Sequence, residues 1–217
     1  MRSKRALVIG RTALDVEECK MLNMPNHPPS PTTYLWSDYE KFDGDIITAQ
    51  SIKYGAIAAG SIELSKRVFW AAENNPGRVW VGTSQHAHDY QTPEKYRDKI
   101  KFLYTHEHEY PVCNSGLFTL WLATFLGYTE IYTVGLDLIN IGCTHGHQYS
   151  HAEAAQYVRA VENGESVDGF KFETHLKDQL SFDIVEKIIK DNPDVEFYKC
   201  GKFSQLPVPI KLPPVKK

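Results

Sequence analysis

The chain lacks a long hydrophobic run, an excess of basic charge and any closely spaced cysteine pair, and each absence removes a class of protein. No stretch reaches the roughly 18 apolar residues that a membrane span needs, and the longest, Leu117–Leu126, is broken by threonines. No membrane span is therefore expected. The basic opening residues Arg2, Lys4 and Arg5 lead into an apolar stretch that Gly10-Arg11 cuts short, leaving no core for a signal peptide. A net charge of −3 supplies no field for non-specific nucleic-acid binding. Cys19, Cys113, Cys143 and Cys200 lie far apart without a Cys-x-x-Cys, so reduced thiols and a cytoplasmic location are expected. Internal repeats and an interdomain linker are also missing.

What remains is an ordinary globular balance, 42% hydrophobic and 24% charged over 217 residues, enough for one domain with an adequate core. Short apolar runs recur as candidate strands at Ala6–Gly10, Asp45–Ala49, Val79–Gly82, Ile100–Tyr104, Glu130–Gly135 and Val195–Lys199. Several are apolar at both parities, as strands covered on both faces are. Between them, Gly60–Glu73, Ser115–Leu126 and Leu180–Lys190 carry apolar residues at helical spacing, and Asn192-Pro193 stops the last. Alternation of this kind predicts an α/β fold, a Rossmann-like, mostly parallel sheet with helices on both faces. Residues 1–205 are expected to form a single α/β domain, with a Gly-rich, lid-like segment at 139–173. Residues 206–217 read as a Pro-rich surface tail, and Pro25–Pro31 as an extended loop.

The window from Cys113 to Asp137 is the most informative. It reads as a helix that Asn114 or Ser115 can cap, a Gly127 turn, a strand, then Gly135 and an acid. In open α/β sheets ligands bind at the carboxyl ends of strands, beside helix N-termini. Backbone N–H groups at Asn114, Ser115 and Gly116 can hold a phosphate, with Gly116 letting it approach the backbone. Asp137 can accept hydrogen bonds from a ribose or another hydroxyl. The plainer alternative is a capped core helix followed by a turn-forming acid.

The same residues resemble glycosyltransferase family 42, the bacterial sialyltransferases, in which a Thr-Ser-Gly helix start leads through Leu-Gly-Tyr to Gly-Ile-Asp. Thr174-His175-Leu176-Lys177, with the helix and strand that follow, is similar to that family's Gly-His-Ser-Lys segment. Gly135-Leu-Asp-Leu138 with Thr144-His145 also resembles the related family 115 domain of unknown function, which includes pterin diphosphokinases. The matches span roughly residues 110–205. The resemblance implies that residues 1–205 form a nucleotide-sugar-binding domain of sialyltransferase-like, GT-A variant fold, with nucleotide-binding positions at Asn114, Ser115, Gly116, Gly135 and Asp137. It also implies His175 as the general base, a role suited to neutral imidazole. The family's Gly-x-Gly-Pro-Ser loop is replaced by Gly10-Arg-Thr-Ala-Leu14, where Arg11 can supply a charged contact to phosphate. Ile139 and His145 stand where the family has two tyrosines, with Tyr149 close by. These departures leave the donor open to nucleotide sugars other than CMP-sialic acid.

Metal binding is not expected. Cys143, His145, His147 and His151 match no standard zinc spacing, and His86-Ala-His88 and His106-Glu-His108 alternate as solvated pairs do. The nearest approach to a sugar-nucleotide Asp-x-Asp, Asp43-Gly-Asp45, opens a predicted buried strand. The expected function is inverting, metal-independent sugar transfer from a nucleotide sugar, with His145 or Tyr149 assisting departure of the nucleotide. No cofactor is expected. The acceptor is left open among a glycan, a lipid-linked saccharide and a modified nucleobase, and a homo-oligomer is among the options. The alternatives are a diphosphokinase of the pterin type, requiring Mg²⁺, and a nucleotide-binding module without catalysis.

Overall fold

Every candidate strand forms. The structure, a computed structural model, describes residues 4–10, 39–49, 66–83, 92–104, 115–136, 176–200, 204 and 206–216. They contain strands β1 (Arg5–Ile9), β2 (Asp45–Ala49), β3 (Val79–Thr83), β4 (Ile100–Tyr104), β5 (Glu130–Val134) and β6 (Glu196–Lys199). The helices are α1 (Lys66–Asn74), α2 (Ser115–Phe125) and α3 (Leu176–Asp191). The strands form one sheet in the order β4-β3-β2-β1-β5-β6, with every pairing parallel.

A parallel sheet is covered on both faces, which explains the unbroken apolar runs. In β1, Leu7 and Ile9 enter one core cluster with Val68, Ala71 and Ala72 of α1. Ala6 and Val8 point the other way, to Leu117, Phe118 and Leu120 of α2 and Ile184, Val185 and Ile188 of α3. Successive Cβ atoms alternate across a strand, so one run of four residues serves two cores. The result is a Rossmann-like α/β fold. Its strand order does not by itself single out a sialyltransferase-like, GT-A variant.

Helix boundaries follow local chemistry. α2 ends as Gly127, at φ 73°, lets its N–H reach the Thr124 carbonyl (2.9 Å) and the Tyr128 N–H reach that of Ala123 (3.2 Å). That double closure is a Schellman motif. The Asn192 side-chain amide donates to Ile188 O (2.7 Å) and, with Pro193 next in the chain, closes α3. α3 starts at Leu176, earlier than the predicted Leu180, and Leu176 continues the i, i+4 row of Leu180, Ile184 and Ile188 by one turn.

The segment expected as a Pro-rich tail is docked as a strap. Leu206 is buried, whereas Ile210, Leu212 and Val215 are exposed. Lys199 N–H donates to Pro209 O (3.0 Å) and Lys211 N–H to Lys199 O (3.1 Å), so the strap lies along β6 as a short parallel partner. Further on, Asp43 N–H donates to Pro214 O (2.9 Å) and Lys216 N–H to Lys41 O (2.8 Å). Proline at an edge is tolerated because it need not donate to the ladder, and the covered edge is closed to further pairing.

Candidate functional site: the carboxyl edge between β1 and β5

Chain order along the sheet runs from β1 through β2 and β3 to β4 on one side, and from β5 to β6 on the other. The direction reverses between β1 and β5, and such a reversal opens the crevice in which α/β domains take their ligands. Gly10 follows β1 and Gly135 follows β5, so both predicted glycines stand at this point. The Gly10 N–H donates to Val134 O at 2.7 Å, extending the β1–β5 ladder by one bond.

The two glycines are in contact. A Cβ at Gly10 would collide with the Gly135 carbonyl oxygen and lie 2.5 Å from its carbon and 2.8 Å from Leu136 N. Gly135 has φ 65°, a left-handed conformation that costs other residues about 1–2 kcal/mol. One glycine is required for space and the other for backbone conformation.

Gly116 stands in the first turn of α2, half-buried, where N–H groups lack partners within the helix and the dipole is positive. Its carbonyl accepts from Thr119 Oγ1 (2.7 Å). Gly82 of β3 lets this turn approach the sheet: a Cβ there would lie 2.9 Å from Phe118 Cδ1 and 3.3 Å from Thr119 Cγ2. Ser115 opens α2, and its side chain lies outside the described residues. Asn114, Asp137, Arg11, His145, Tyr149, His175 and the segment 139–173 also lie outside them, as do Pro25–Pro31 and the histidine pairs. Among the described residues, no group of three His, Cys, Asp or Glu side chains could hold a metal ion.

Two buried hydroxyls near this edge, Thr48 and Ser204, were not singled out in the sequence, and Cys200, expected as a reduced thiol, follows β6. Thr48, at the end of β2, is buried and donates to Ile9 O (3.1 Å). Ser204 is buried, donates to Leu136 O (2.9 Å) and accepts from Leu206 N–H (3.3 Å). Cys200 is buried, and its N–H donates to Thr133 O (2.8 Å). Burial pushes the Cys200 thiol up to about 12, which keeps it protonated and unreactive at neutral pH. A glycine inside the β3 pattern was the available signal for Gly82; Ser204 offered none.

The amino edge is built differently. The buried Glu130 carboxylate accepts from Arg5 Nε (2.7 Å), Lys211 Nζ (3.0 Å) and the Tyr132 hydroxyl. Arg5 also pairs with Asp43 at 2.9 Å. The hydrogen bond to Glu130 pushes the Lys211 ammonium up, while burial, reinforced by its bond to Glu130, pushes the Tyr132 hydroxyl up to about 12. Asp45 accepts from the Tyr128 hydroxyl and from Arg78 N–H (2.7 Å), and Trp80 Nε1 donates to Tyr128 Oη (2.9 Å). Asp43 and Asp45 are thus occupied by structural partners, which accounts for their spacing without a sugar-nucleotide metal.

Fold and edge geometry together define a Rossmann-like α/β protein with a glycine-paired switch point. Among the described residues no helix is long and apolar enough to cross a membrane. No family model, curated protein or solved structure matches the chain.

Proposed function

We propose that the chain is an inverting glycosyltransferase that takes its sugar from a nucleotide-activated donor. The observation that supports this is the meeting of Gly10 and Gly135 at the switch point, on the same sheet edge as the Gly116 turn of α2. Gly116 and Gly135 belong to the segments whose motifs resemble the bacterial sialyltransferases, whereas Gly10 is the one glycine kept from that family's Gly-x-Gly-Pro-Ser loop. Exposed N–H groups of the first α2 turn would bind the donor phosphate, and side-chain-free backbone at the crevice would admit it.

In the proposed reaction the acceptor hydroxyl oxygen attacks the anomeric carbon from the face opposite the nucleotide. The bond from that carbon to the phosphate oxygen breaks, and the nucleotide leaves with the electron pair. His175 takes the acceptor proton, and His145 or Tyr149 donates a hydrogen bond to the departing phosphate. Asp137 holds a donor hydroxyl. The acceptor is a hydroxyl of a glycan, a lipid-linked saccharide or a modified nucleobase.

The test is thermal unfolding with CMP, UDP, GDP, ADP and their sugar conjugates, with EDTA present. A donor at about 100 times its dissociation constant stabilises by roughly 2.7 kcal/mol. For a domain of this size that is a rise of about 5–11 °C in Tm. His175→Ala should keep that rise and lower turnover about 10²–10⁴-fold. Absence of a shift with every nucleotide overturns the reading. Diphosphoryl transfer from ATP that needs Mg²⁺ replaces it with the diphosphokinase.

A further inference from the structure

We infer that the C-terminal strap is a working part of the switch-point site, with Ser204 as the residue that positions its floor. The inference rests on the reading of that crevice as a nucleotide site. The floor is the backbone of Gly135 and Leu136, whose shared peptide Gly10 meets directly on the β1 side. Ser204 holds it from the β6 side, its hydroxyl donating to the Leu136 carbonyl at 2.9 Å.

Ser204 is itself held. Its hydroxyl accepts from Leu206 N–H, which directs its own proton to Leu136. Lys199 Nζ, from the end of β6, donates to the carbonyls of Ser204 (2.8 Å) and Leu206 (2.9 Å). Leu206 anchors the turn in the same core cluster that contains Leu136, Leu117 and Leu120. The Ser204 hydroxyl therefore has one buried orientation, and the backbone after Gly135 is held at the Leu136 carbonyl by the strap, next to the Gly135 peptide that Gly10 abuts. This matters because Gly135, at φ 65°, has a backbone free to take other conformations once that carbonyl is released. A phosphate site made of backbone groups binds well only while those groups stay in place.

Ser204→Ala, Ser204→Thr and Lys211→Ala separate positioning from plain stability. Lys211→Ala loosens the strap at the opposite edge, where it pairs with Glu130. Each variant is titrated with CMP, UDP, GDP and ADP by calorimetry, and its Tm is recorded without ligand. Loss of one hydrogen bond predicts that Ser204→Ala raises the Kd of the bound nucleotide about two- to tenfold. Ser204→Thr, which keeps the donor, restores it to within about twofold of the parent. Lys211→Ala lowers Tm and leaves Kd unchanged. If Ser204→Ala does not fold, Ser204→Cys, a weak donor of similar shape, should show the same rise in Kd. The inference is overturned if the parent binds nucleotide and Ser204→Ala binds it equally well. It is also overturned if Lys211→Ala raises Kd as much as Ser204→Ala does. A parent that binds none of the four overturns the nucleotide reading and the inference with it.

Discussion

Gly10→Ala adds one methyl group at the most crowded point between the central strands. That carbon would sit 2.5 Å from the Gly135 carbonyl carbon and 2.8 Å from Leu136 N, against the roughly 3.5–4.0 Å of an ordinary carbon contact. All the obstructing atoms are backbone, so no rotamer change relieves the clash. β1 and β5 must part by about 1 Å, which also stretches the Gly10 N–H bond to Val134 O. Overpacking of a core costs about 1–3 kcal/mol, and a weakened hydrogen bond adds about 0.5–1.5 kcal/mol. Replacing glycine by alanine returns about 0.4–1 kcal/mol by restricting the unfolded chain. The expected net loss is about 2–3 kcal/mol, or about 4–12 °C in Tm for a domain of this size. Gly127→Ala is the control, because nothing lies within 4 Å of its Cβ position and its φ of 73° is the only obstacle. It should cost about 1–2 kcal/mol. Urea unfolding of both variants with a shared slope checks the ranking. A Gly10→Ala midpoint equal to that of the parent, or above that of Gly127→Ala, refutes the close approach of β1 and β5.

Gly116→Val should abolish the nucleotide-induced Tm shift while changing the ligand-free Tm little, since the position is half-buried and valine suits a helix no worse than glycine. A folded variant with the parent's shift would locate the phosphate elsewhere. Stability should also fall in alkali. Cys200 and Tyr132 are raised from ordinary values near 9 and 10 to about 12, so the folded state holds both protons more tightly than the unfolded chain does. Their contribution is complete below pH about 9 and is lost as pH rises through about 12. Circular dichroism melts between pH 8 and 12 should show this decline, and Tyr132→Phe should flatten it; an unchanged slope in that variant would remove Tyr132 as a cause.

The sheet was legible because burial on both faces writes a parallel strand as a plain apolar run. β2 and β4 begin and end where Asp45–Ala49 and Ile100–Tyr104 do. α3 extends one turn beyond the predicted Leu180, because Leu176 lies four residues before it on the same apolar row. The strap lies at the surface, as its prolines suggest, but its docking is not legible in the sequence. Four prolines forbid a regular ladder, yet a single bridge at Lys199–Ile210 and another at Phe42–Val215 hold it down. Both depend on partners remote in the chain, and no local pattern encodes them. At the candidate site, Gly10 and Gly135 are visible in the sequence as glycines after strands, and the resemblance implies a nucleotide-binding role for Gly135. Their contact with each other is a tertiary fact, and it sets a structural requirement beside the proposed functional one.

The two edges of the sheet divide the work of the molecule. At the amino edge, Glu130 sits buried between Arg5, Lys211 and Tyr132, and Asp45 between Tyr128 and Arg78. These contacts tie β1, β5 and the strap together at this edge. The carboxyl edge has Gly10, Thr48, Gly82, Gly135 and Ser204, small or hydroxyl-bearing residues that leave backbone close to the surface of any ligand. Such an edge is soft by itself. The strap joins the two, since Lys211 anchors it at Glu130 and Ser204 meets Leu136 at the other end. A backbone-lined crevice needs rigidity that glycines cannot supply, and here Ser204 on the strap supplies it at Leu136, while the paired charges hold the amino edge.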